Sequence, residues 1–452
     1  MSAENRRAAT AVVLLAAGKG TRMRSKQAKV LHQIAGQPML HFAMRAAMTL
    51  EPERMAVVVG HGGEEVAASA RTLHPGVDIC VQEQQLGTGH AVRMAETALD
   101  GFDGQLIVLF GDTPFLSAET MAKLVTEPQA ITVLGFETEH PGRYGRLVME
   151  GDRALRITEA KDATAEELAI TACNSGVMAG PAQAMFRLLA QLSPKNAQGE
   201  YYLTDLPHLA REEGIETRAV FCDIAETLGI NDRQDLATAE AAFQARARAN
   251  AMAAGATLSD PESVHFAWDT ALGQDVEIEP NVVFGPGVEI ADEVTIRAFC
   301  HITETRIAPG VSVGPFARLR GGAVIGEGAY IGNFVEMKKV DFGPGAKAAH
   351  LTYVGDATVG AGANLGAGTI TCNYDGVSKH RTKIGERAFI GTNTALVAPV
   401  TVGDDAYTAT GSVITQDVPP GDLAIARGRQ ENKTGLGRKL RERLAAQKAG
   451  KE

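Results

Sequence analysis

The sequence predicts an α/β domain with a Rossmann-like parallel sheet, followed in the same chain by a parallel β-helix. Two observations support this prediction. Apolar, strand-like runs alternate with helical patterns up to about residue 230, an order typical of a parallel sheet with helices on its faces. From Ile278 onward, aliphatic residues recur at every sixth position. That period belongs neither to an α-helix nor to an alternating strand, and it indicates a hexapeptide solenoid.

The composition is that of a globular, reduced protein. A chain of 452 residues with 45% apolar residues can form two or more domains. Its five cysteines include no Cys-x-x-Cys pair, which favours a reducing cytoplasm over a disulfide framework or a zinc site. The net charge is −10. We expect a cytoplasmic protein without nucleic-acid partners or membrane insertion.

The N-terminus offers one alternative. Arg6 and Arg7 precede the apolar run 8–17 and imitate a secretory signal. The run passes directly into a glycine-rich motif, however, and cleavage there would remove it. We therefore expect a buried strand, and no other run approaches the ~20 apolar residues that cross a bilayer.

The first domain is predicted to comprise residues 1–232. We expect strands at Val12–Leu15, Ala56–Val59 and Leu106–Phe110, and helices at 38–50, 88–99 and 118–126. An Ala-rich stretch without helix breakers follows and predicts a linker helix over 233–255 that ends at Gly255.

The second domain is predicted to comprise residues 256–452. Between 276 and 414, at ~18 residues per coil, it would form roughly seven or eight triangular coils. Asn373–Thr382 interrupts the repeat, as a functional loop would. Residues 431–452 carry seven Lys or Arg against three Glu and predict a short basic helix. The six-residue step is kept by Ile278, Phe284, Ile290, Ile296, Ile302, Val313, Leu319, Ile325, Ile331, Ile384, Ile390, Leu396 and Val402.

A phosphate-binding motif follows the first predicted strand. Leu15-Ala-Ala-Gly-Lys-Gly-Thr-Arg-Met23 leads to Lys29-Val-Leu-His32, and residues 8–50 contain no Asp or Glu. Glycine backbones can close around phosphate oxygens, and Lys19, Arg22 and Lys29 can neutralise their charge. An ordinary strand-to-helix turn is the alternative for Gly-Lys-Gly alone. The whole string resembles the signature of sugar-nucleotide pyrophosphorylases, which join a sugar-1-phosphate to a nucleoside triphosphate.

Such a reaction needs cations and positioned oxygens. The attacking phosphate oxygen needs no strong base, so Mg²⁺ and basic side chains must bring two anions together. The strand that leads to Phe110-Gly-Asp112 ends in a carboxylate suited to Mg²⁺. From the local pattern alone, Asp112 could equally be a helix N-cap or a turn residue.

Further motifs extend the resemblance over essentially the whole chain, to the bifunctional N-acetylglucosamine-1-phosphate uridyltransferase/glucosamine-1-phosphate acetyltransferase family. The motifs are Gln85-Leu-Gly-Thr-Gly-His90, Arg143-Tyr-Gly-Arg146, Glu159-Ala-Lys-Asp162, Cys173-Asn-Ser-Gly176 and Leu228-Gly-Ile-Asn-Asp232. The resemblance implies that Asp112 and Asn231 hold Mg²⁺ and that Lys29 neutralises phosphate charge. It implies a uridine-nucleotide and sugar site formed by Leu15, Ala16, Ala17, Gly18, Lys29, Gln82, Gly87, Thr88, Phe110, Gly111, Asp112, Gly145, Glu159, Asn174 and Asn231.

The second domain contains the parts of an acetyl-transfer site. An amine attacks a thioester only when deprotonated, which favours a histidine base, and a sugar phosphate needs cations. Arg318-Leu-Arg320, Gly332–Lys339, His350–Gly355 and Gly368–Gly376 supply these groups. The strings resemble the acetyltransferase half of the same family. The resemblance implies a left-handed coil, His350 as general base, a sugar-phosphate site at Arg320, Lys338, Tyr353 and Asn364, and an acetyl-CoA site at Ala367, Asn373, Tyr374, Thr392, Thr410 and Arg427.

The sequence departs from the family pattern at four positions. Phe110 stands where Tyr is common, and Gly321 stands where Pro is usual. Ser175 stands where Thr is common and Thr392 where Ser is common, so both positions keep a hydroxyl group. None removes a group that the chemistry requires, and we expect Gly321 to loosen its turn.

Three alternatives remain open from the sequence. One is a single-function nucleotidyltransferase with a regulatory β-helix, and another is a non-catalytic trimeric scaffold. The third is a zinc enzyme that uses His301, His350 and His380. The family resemblance itself implies a homotrimer that serves bacterial cell-envelope precursor synthesis.

Overall fold

The computed structural model describes residues 9–60 and 62–449. The chain divides into two compact units, Met1–Ala247 and Arg248–Glu452. Arg6 and Arg7 lie outside the described residues. Within the described ranges, no helix has the length and apolar character needed to cross a bilayer.

The first unit is an α/β domain. Its strands are β1 (Thr10–Ala16), β2 (Gln33–Ile34), β3 (Gln37–Pro38), β4 (Arg54–Gly60), β5 (Asp78–Gln82), β6 (Gln105–Phe110), β7 (Ile131–Glu137), β8 (Arg146–Glu150), β9 (Arg153–Thr158), β10 (Ala172–Pro181) and β11 (Thr217–Phe221). Its helices are α1 (Met39–Met48), α2 (Glu64–Leu73), α3 (Thr88–Arg93), α4 (Ala118–Leu124), α5 (Ala165–Leu168), α6 (Ala182–Leu189) and α7 (Leu206–Glu212), and α8 (Arg233–Ala253) follows them.

The main sheet has the strand order β11-β7-β10-β6-β1-β4-β5. Every residue of β1 is buried, as expected for a central strand covered on both faces. The expectation of a wholly parallel sheet is wrong at β10, which runs antiparallel to both β6 and β7. The β8–β9 hairpin lies between β7 and β10 in the chain, and β8 pairs with both β9 and β10. An antiparallel strand such as β10 needs no crossover helix to join the sheet.

The second unit is a parallel β-helix followed by α9 (Leu436–Ala449). Its strands are β12 (Thr257–Leu258), β13 (Ala271–Leu272), β14 (Glu277–Ile278), β15 (Val283–Phe284), β16 (Val288–Ile290), β17 (Thr295–Ile296), β18 (His301–Ile302), β19 (Thr305–Ile307), β20 (Ser312–Val313), β21 (Arg318–Arg320), β22 (Ala323–Ile325), β23 (Tyr330–Asn333), β24 (Glu336–Phe342), β25 (Lys347–His350), β26 (Tyr353–Val359), β27 (Asn364–Leu365), β28 (Ile370–Cys372), β29 (Thr382–Ile384), β30 (Phe389–Ile390), β31 (Ala395–Val397), β32 (Val400–Val402), β33 (Tyr407–Thr408), β34 (Val413–Ile414) and β35 (Leu423–Ala424).

The six-residue pattern packs the interior of this coil. All thirteen residues that keep the step are buried. Each strand pairs in parallel with the strand one coil away, so Tyr353 lies opposite Ile370. The coil is lengthened once, where Ile370 pairs with Ala395 across the loop that the interrupted hexads predicted. The left hand of the coil remains a prediction from the family resemblance.

Candidate active sites

The glycine-rich loop begins where β1 ends and folds back onto Lys29. Gly20 has φ +58°, and a Cβ added there would lie 2.6 Å from Cβ of Lys29. A side chain at this position would therefore collide with the lysine as well as strain the backbone. The absence of a side chain at Gly20 therefore allows the loop to pack directly against Lys29.

Lys29 brings together the two residues predicted to hold metal. Its Nζ forms an ion pair with Asp112 Oδ2 and lies 3.0 Å from Asn231 Oδ1. The Lys29 side chain is only 12% exposed. Asp112 does not cap α4, because Ser117 does. It lies instead in the turn that follows β6, which agrees with the turn alternative. The backbone N–H of Ile230 donates to the Asp112 carbonyl at 3.1 Å, which joins the two segments.

A cavity of ≈ 220 Å³ opens beside this cluster. It is lined by ten of the predicted residues, namely Leu15, Ala16, Ala17, Gly18, Lys29, Gln82, Gly87, Thr88, Phe110 and Asp112. Gly111, Gly145, Glu159, Asn174 and Asn231 are not part of this lining. The cavity is also lined by four residues for which the sequence predicts no role, namely Val30, Gln85, Ala91 and Glu200.

The second glycine turn forms another wall of the cavity. A Cβ on Gly87, which has φ +110°, would lie 2.7 Å from the Tyr201 carbonyl oxygen. The Thr88 hydroxyl oxygen accepts a hydrogen bond from the Leu203 N–H at 3.1 Å. The turn is therefore packed tightly against residues 200–203.

Gly145, Glu159 and Asn174 form a second cluster in the first unit. Asn174 N–H donates to the Gly145 carbonyl at 2.8 Å, and a Cβ on Gly145 would lie 3.7 Å from Glu159 Oε2. Burial raises the pKa of the Glu159 carboxyl above its ordinary value, although the hydrogen bond that it accepts from Thr204 opposes the shift. The half-buried Glu159 carboxylate and the backbone of the buried Asn174 therefore both lie against Gly145.

Two further residues hold the first site together. Gln85 Nε2 donates to the Ala17 carbonyl of the glycine-rich loop. Arg233 donates to the Met23 carbonyl at 3.3 Å and lies 3.4 Å from Nδ1 of His32. In the sequence, the only signal for these roles was that Gln85 lies near Gly87 and Arg233 near Asn231. The contacts themselves join segments that are far apart in the chain.

In the second unit, His350 is oriented by a residue that the sequence analysis had not assigned. His350 Nδ1 lies 2.6 Å from Asn333 Oδ1, and the two residues are register partners on β25 and β23. An amide oxygen can only accept a hydrogen bond, so Nδ1 carries the proton. The free lone pair of the neutral ring is therefore on Nε2.

Parallel register also brings the two predicted phosphate-binding cations together. Arg320 on β21 lies opposite Lys338 on β24. Glu336 Oε1 accepts a hydrogen bond from Arg320 Nε at 2.7 Å and forms an ion pair with Nη2 at 2.7 Å. Gly321 has φ +67°, a conformation that proline cannot adopt, so this turn differs from one that contains proline.

Tyr353 and Asn373 approach each other over a glycine. A Cβ on Gly355 would lie 2.4 Å from the Tyr353 hydroxyl oxygen and 2.8 Å from Asn373 Nδ2. Asn373 is buried and also donates to Asp356 on β26. Tyr374, the next residue, enters the inserted loop and donates to the Gly376 carbonyl.

The remaining predicted residues lie mostly on one edge of the coil. Successive hydrogen bonds connect that edge from one turn to the next: Leu351 N to Asn333 O, Gly368 N to His350 O, Asn393 N to Ala367 O, Gly411 N to Thr392 O, and Arg427 Nη1 to Thr410 O. Asn364 lies on the face formed by β25, β27 and β30. His350, Ala367, Thr392, Thr410 and Arg427 therefore share one edge.

The zinc alternative has no structural support among residues 9–60 and 62–449. In these ranges, no three His, Cys, Asp or Glu side chains converge as metal ligands would. His380 instead contacts Asp375 in its own loop, with 2.6 Å between Nε2 and Oδ2.

Comparison with known proteins assigns both units to families. Residues 12–211 match the MobA-like NTP transferase domain, and residues 269–304 and 304–339 match the bacterial transferase hexapeptide (six repeats). A protein named "Bifunctional protein GlmU" from Ruegeria sp. (strain TM1040) is 58% identical over 98% of this chain and 99% of its own length.

Two further relatives agree with this assignment. Proteins of the same name from Ruegeria pomeroyi (strain ATCC 700808 / DSM 15171 / DSS-3) and Sphingopyxis alaskensis (strain DSM 13593 / LMG 18877 / RB2256) are 56% and 54% identical, each over 98% of this chain. The matched regions span 99% of the first protein and 98% of the second. The chain therefore belongs to the family of bifunctional GlmU proteins.

Proposed function

We propose that this chain acetylates glucosamine-1-phosphate with acetyl-CoA and then transfers UMP from UTP to the product. The second reaction would release pyrophosphate and form UDP-N-acetylglucosamine. One observation carries the proposal: a chain that matches bifunctional relatives along its length has the Lys29–Asp112–Asn231 cluster in one unit and the Asn333–His350 pair in the other.

The first cluster suits nucleotidyl transfer. A phosphate oxygen of the sugar-1-phosphate attacks the α-phosphorus of UTP, and pyrophosphate leaves. Both substrates are anions, so Lys29 and the backbone N–H groups of the glycine-rich loop lower the barrier by holding them together. No strong base is required, because the nucleophile is already an ionised phosphate.

Asp112 and Asn231 fit a magnesium ion. Their side-chain oxygens converge on one cationic group, the Lys29 ammonium, and carboxylate and amide oxygens are ligands that Mg²⁺ accepts. When bound, Mg²⁺ would neutralise phosphate charge as the bond to pyrophosphate breaks. Lys29 would then supply its charge to the phosphates.

The neighbouring cluster suits recognition of an N-acetyl sugar. The Glu159 carboxylate can accept hydrogen bonds from sugar hydroxyls, and the Asn174 amide can contact the acetamido group. Phe110 connects this cluster to the nucleotide cavity, because a Cβ on Gly176 would lie 2.7 Å from its ring. The sugar would therefore lie next to the phosphates of the nucleotide.

The second unit suits acetyl transfer. Nε2 of His350 takes a proton from the glucosamine amine as that amine attacks the thioester carbonyl of acetyl-CoA. The carbon–sulfur bond then breaks, and the proton passes to the coenzyme A sulfur. Arg320 and Lys338 would hold the sugar phosphate, while Ala367, Thr392, Thr410 and Arg427 would contact acetyl-CoA along the edge that begins at His350.

The surface of the coil supports a homotrimer. Phe299, Phe316 and Phe334 stack on successive turns, with ring centroids 4.9 and 5.1 Å apart. They are 52%, 46% and 54% exposed, and the next residue in the row, Leu351, is 63% exposed. An apolar strip of this kind favours a protein partner. Because Leu351 directly follows His350, a neighbouring copy on this strip would lie beside the acetyl-transfer site.

The proposed setting is the bacterial cytoplasm, where the product would supply cell-envelope precursors. All five cysteines are free, which suits a reducing compartment. The substrates are small molecules, and the proposal requires neither nucleic acid nor membrane insertion.

A coupled assay tests both activities. The protein is incubated with Mg²⁺, UTP, acetyl-CoA and glucosamine-1-phosphate, while free thiol and pyrophosphate are followed separately. We expect thiol release first and pyrophosphate release that depends on acetylation. A second reaction supplies N-acetylglucosamine-1-phosphate directly. If this reaction releases pyrophosphate but the first releases no thiol, the protein is a single-function nucleotidyltransferase, and the proposed role of His350 is contradicted.

The two sites can be separated by substitution. We expect His350→Ala to lose acetyl transfer and keep uridyl transfer, and Asp112→Asn to do the reverse. Loss of both activities in a folded His350→Ala protein would contradict the assignment of two independent sites.

A further inference from the structure

We propose that His90 determines which base the nucleotide cavity accepts, by fixing the orientation of the Gln82 side-chain amide. In this orientation the amide oxygen favours a pyrimidine that carries an N–H at position 3, as uracil does. The inference rests on the proposed uridyl transfer and adds a specificity-determining residue that does not itself line the cavity.

Gln82 is held by two hydrogen-bond acceptors. It is the last residue of β5, is 3% exposed and lines the cavity. Its Nε2 lies 3.1 Å from the Gly87 carbonyl oxygen and 3.0 Å from His90 Nδ1. A carbonyl oxygen can only accept, so the NH₂ group of the amide faces Gly87. His90 Nδ1 is then the unprotonated ring nitrogen.

Neither acceptor can move freely. The Gly87 carbonyl also accepts the N–H of Ala91 at 3.1 Å, which is the first hydrogen bond of α3. His90 belongs to the same helix, and its ring lies 6.3 Å from the Tyr201 ring, centroid to centroid. Turning the Gln82 amide over would bring its oxygen against the Gly87 carbonyl and would require the other tautomer of His90. Oε1 is therefore the amide atom left for a ligand.

This orientation discriminates between pyrimidines. Uracil carries a hydrogen at N3, which an amide oxygen can accept, whereas neutral cytosine has a lone pair there and would face another acceptor. A polar group that is buried without a partner costs more free energy than one left in water. His90 thus favours UTP over CTP through Gln82, without touching the base.

The protonation state of His90 matters for the same reason. Burial, with Arg93 on the same helix, lowers the pKa of His90 below its ordinary value, which favours the neutral ring. The groups that face the ring from other elements are the Gln82 amide and the Tyr201 ring. Protonation would place an N–H on Nδ1 against the NH₂ group of Gln82. Discrimination should therefore weaken as the pH falls through the pKa of His90.

The test compares kcat/KM for UTP and CTP, with N-acetylglucosamine-1-phosphate and Mg²⁺, between pH 5 and 8. His90→Phe keeps a ring beside Tyr201 but removes the acceptor, and His90→Asn retains an acceptor near the Nδ1 position. We expect His90→Phe to lower the UTP:CTP ratio about 2- to 12-fold, the effect of one neutral hydrogen bond. His90→Asn should restore most of the ratio, and the dependence on pH seen in the unsubstituted protein should be absent from His90→Phe.

Each negative result has a distinct meaning. If the unsubstituted protein releases no pyrophosphate from UTP, the proposed function itself fails. If it uses UTP but His90→Phe has the same ratio and the same pH profile, only the role of His90 is overturned. Should His90→Phe not fold, as judged by circular dichroism, a flat pH profile of the ratio in the unsubstituted protein overturns the inference and a falling one supports it.

Discussion

Asn333 Oδ1 and His350 Nδ1 lie 2.6 Å apart, one turn of the β-helix from each other. Parallel register places the two residues side by side, and the amide oxygen fixes the proton on Nδ1. In the proposed reaction this leaves Nε2 ready to accept the proton of the substrate amine. The Asn333 side chain thereby sets both the tautomer and the direction of the ring.

We expect Asn333→Ala to lower kcat for acetyl transfer about tenfold, because one net hydrogen bond of about 1.4 kcal/mol no longer favours the productive tautomer. Asn333→Asp should keep most of the activity, because a carboxylate oxygen also accepts the Nδ1 proton. The rate of thiol release checks both variants. Pyrophosphate release is the control and should not change.

Lys29→Ala should reduce uridyl transfer about 10²- to 10³-fold, the usual cost of removing one positioned group that stabilises developing charge. Asp112 and Asn231 would lose their shared cation, and the phosphates would lose a counter-charge. Pyrophosphate release from UTP and N-acetylglucosamine-1-phosphate measures the effect. Lys26→Ala, a change to an exposed lysine three residues earlier in the chain, is the matched control. An equal loss in both variants would count against a special role for Lys29.

Gly355→Ala should impair acetyl transfer with little effect on the first unit. The added methyl group would lie 2.4 Å from the Tyr353 hydroxyl oxygen and 2.8 Å from Asn373 Nδ2, so both side chains must shift. We expect a higher KM for glucosamine-1-phosphate. Gly437→Ala, in α9 of the same unit, is a suitable control, because nothing lies within 4 Å of its Cβ position. An unchanged KM in Gly355→Ala would contradict the proposed substrate contacts.

Replacing Gly321 with the proline usual in the family should destabilise this protein. Gly321 has φ +67°, whereas proline fixes φ near −65°. We expect a loss of more than about 1 kcal/mol in the free energy of unfolding, seen as a lower melting temperature. Gly321→Ala should cost less than the proline variant. A melting temperature raised by proline would show that the turn can adopt the family conformation.

The proposed sugar site should depend on pH through Glu159. Burial raises the pKa of this carboxyl, so it takes up a proton at a higher pH than an exposed glutamate would. As the pH falls through that pKa, the charged acceptor is lost, and KM for N-acetylglucosamine-1-phosphate should rise. Glu159→Gln should have a raised KM that does not rise further as the pH falls through this range. Identical pH profiles for the two proteins would exclude Glu159 as the titrating group.

The sequence predicted those features that depend on local pattern. The six-residue step identified an inward-facing set whose thirteen members are all buried, because a solenoid repeats one environment at a fixed spacing. The glycine-rich string likewise predicted a turn at the end of a buried strand. The family resemblance added the roles of Asp112, Asn231 and His350, which remain proposals.

Other features depend on contacts that no local pattern contains. The antiparallel direction of β10 is seen only in the assembled sheet, where β10 lies between β6 and β7. The sequence likewise did not predict the φ of +67° at Gly321. Asn333 and His350 are seventeen residues apart, and their side chains meet only because the coil has that period at this point. Gln82, Gly87 and His90 are close in sequence, but only their packing determines which amide atom remains free.

By itself, then, the sequence determined the two kinds of unit, the buried positions of the repeat and the types of side chain available for chemistry. Only the tertiary structure decided which of these side chains meet and which atoms they present. Periodicity reports how often a residue faces the core, whereas the tautomer of His350 and the orientation of the Gln82 amide depend on single hydrogen bonds. Those bonds form between atoms that the fold brings within about 3 Å of each other.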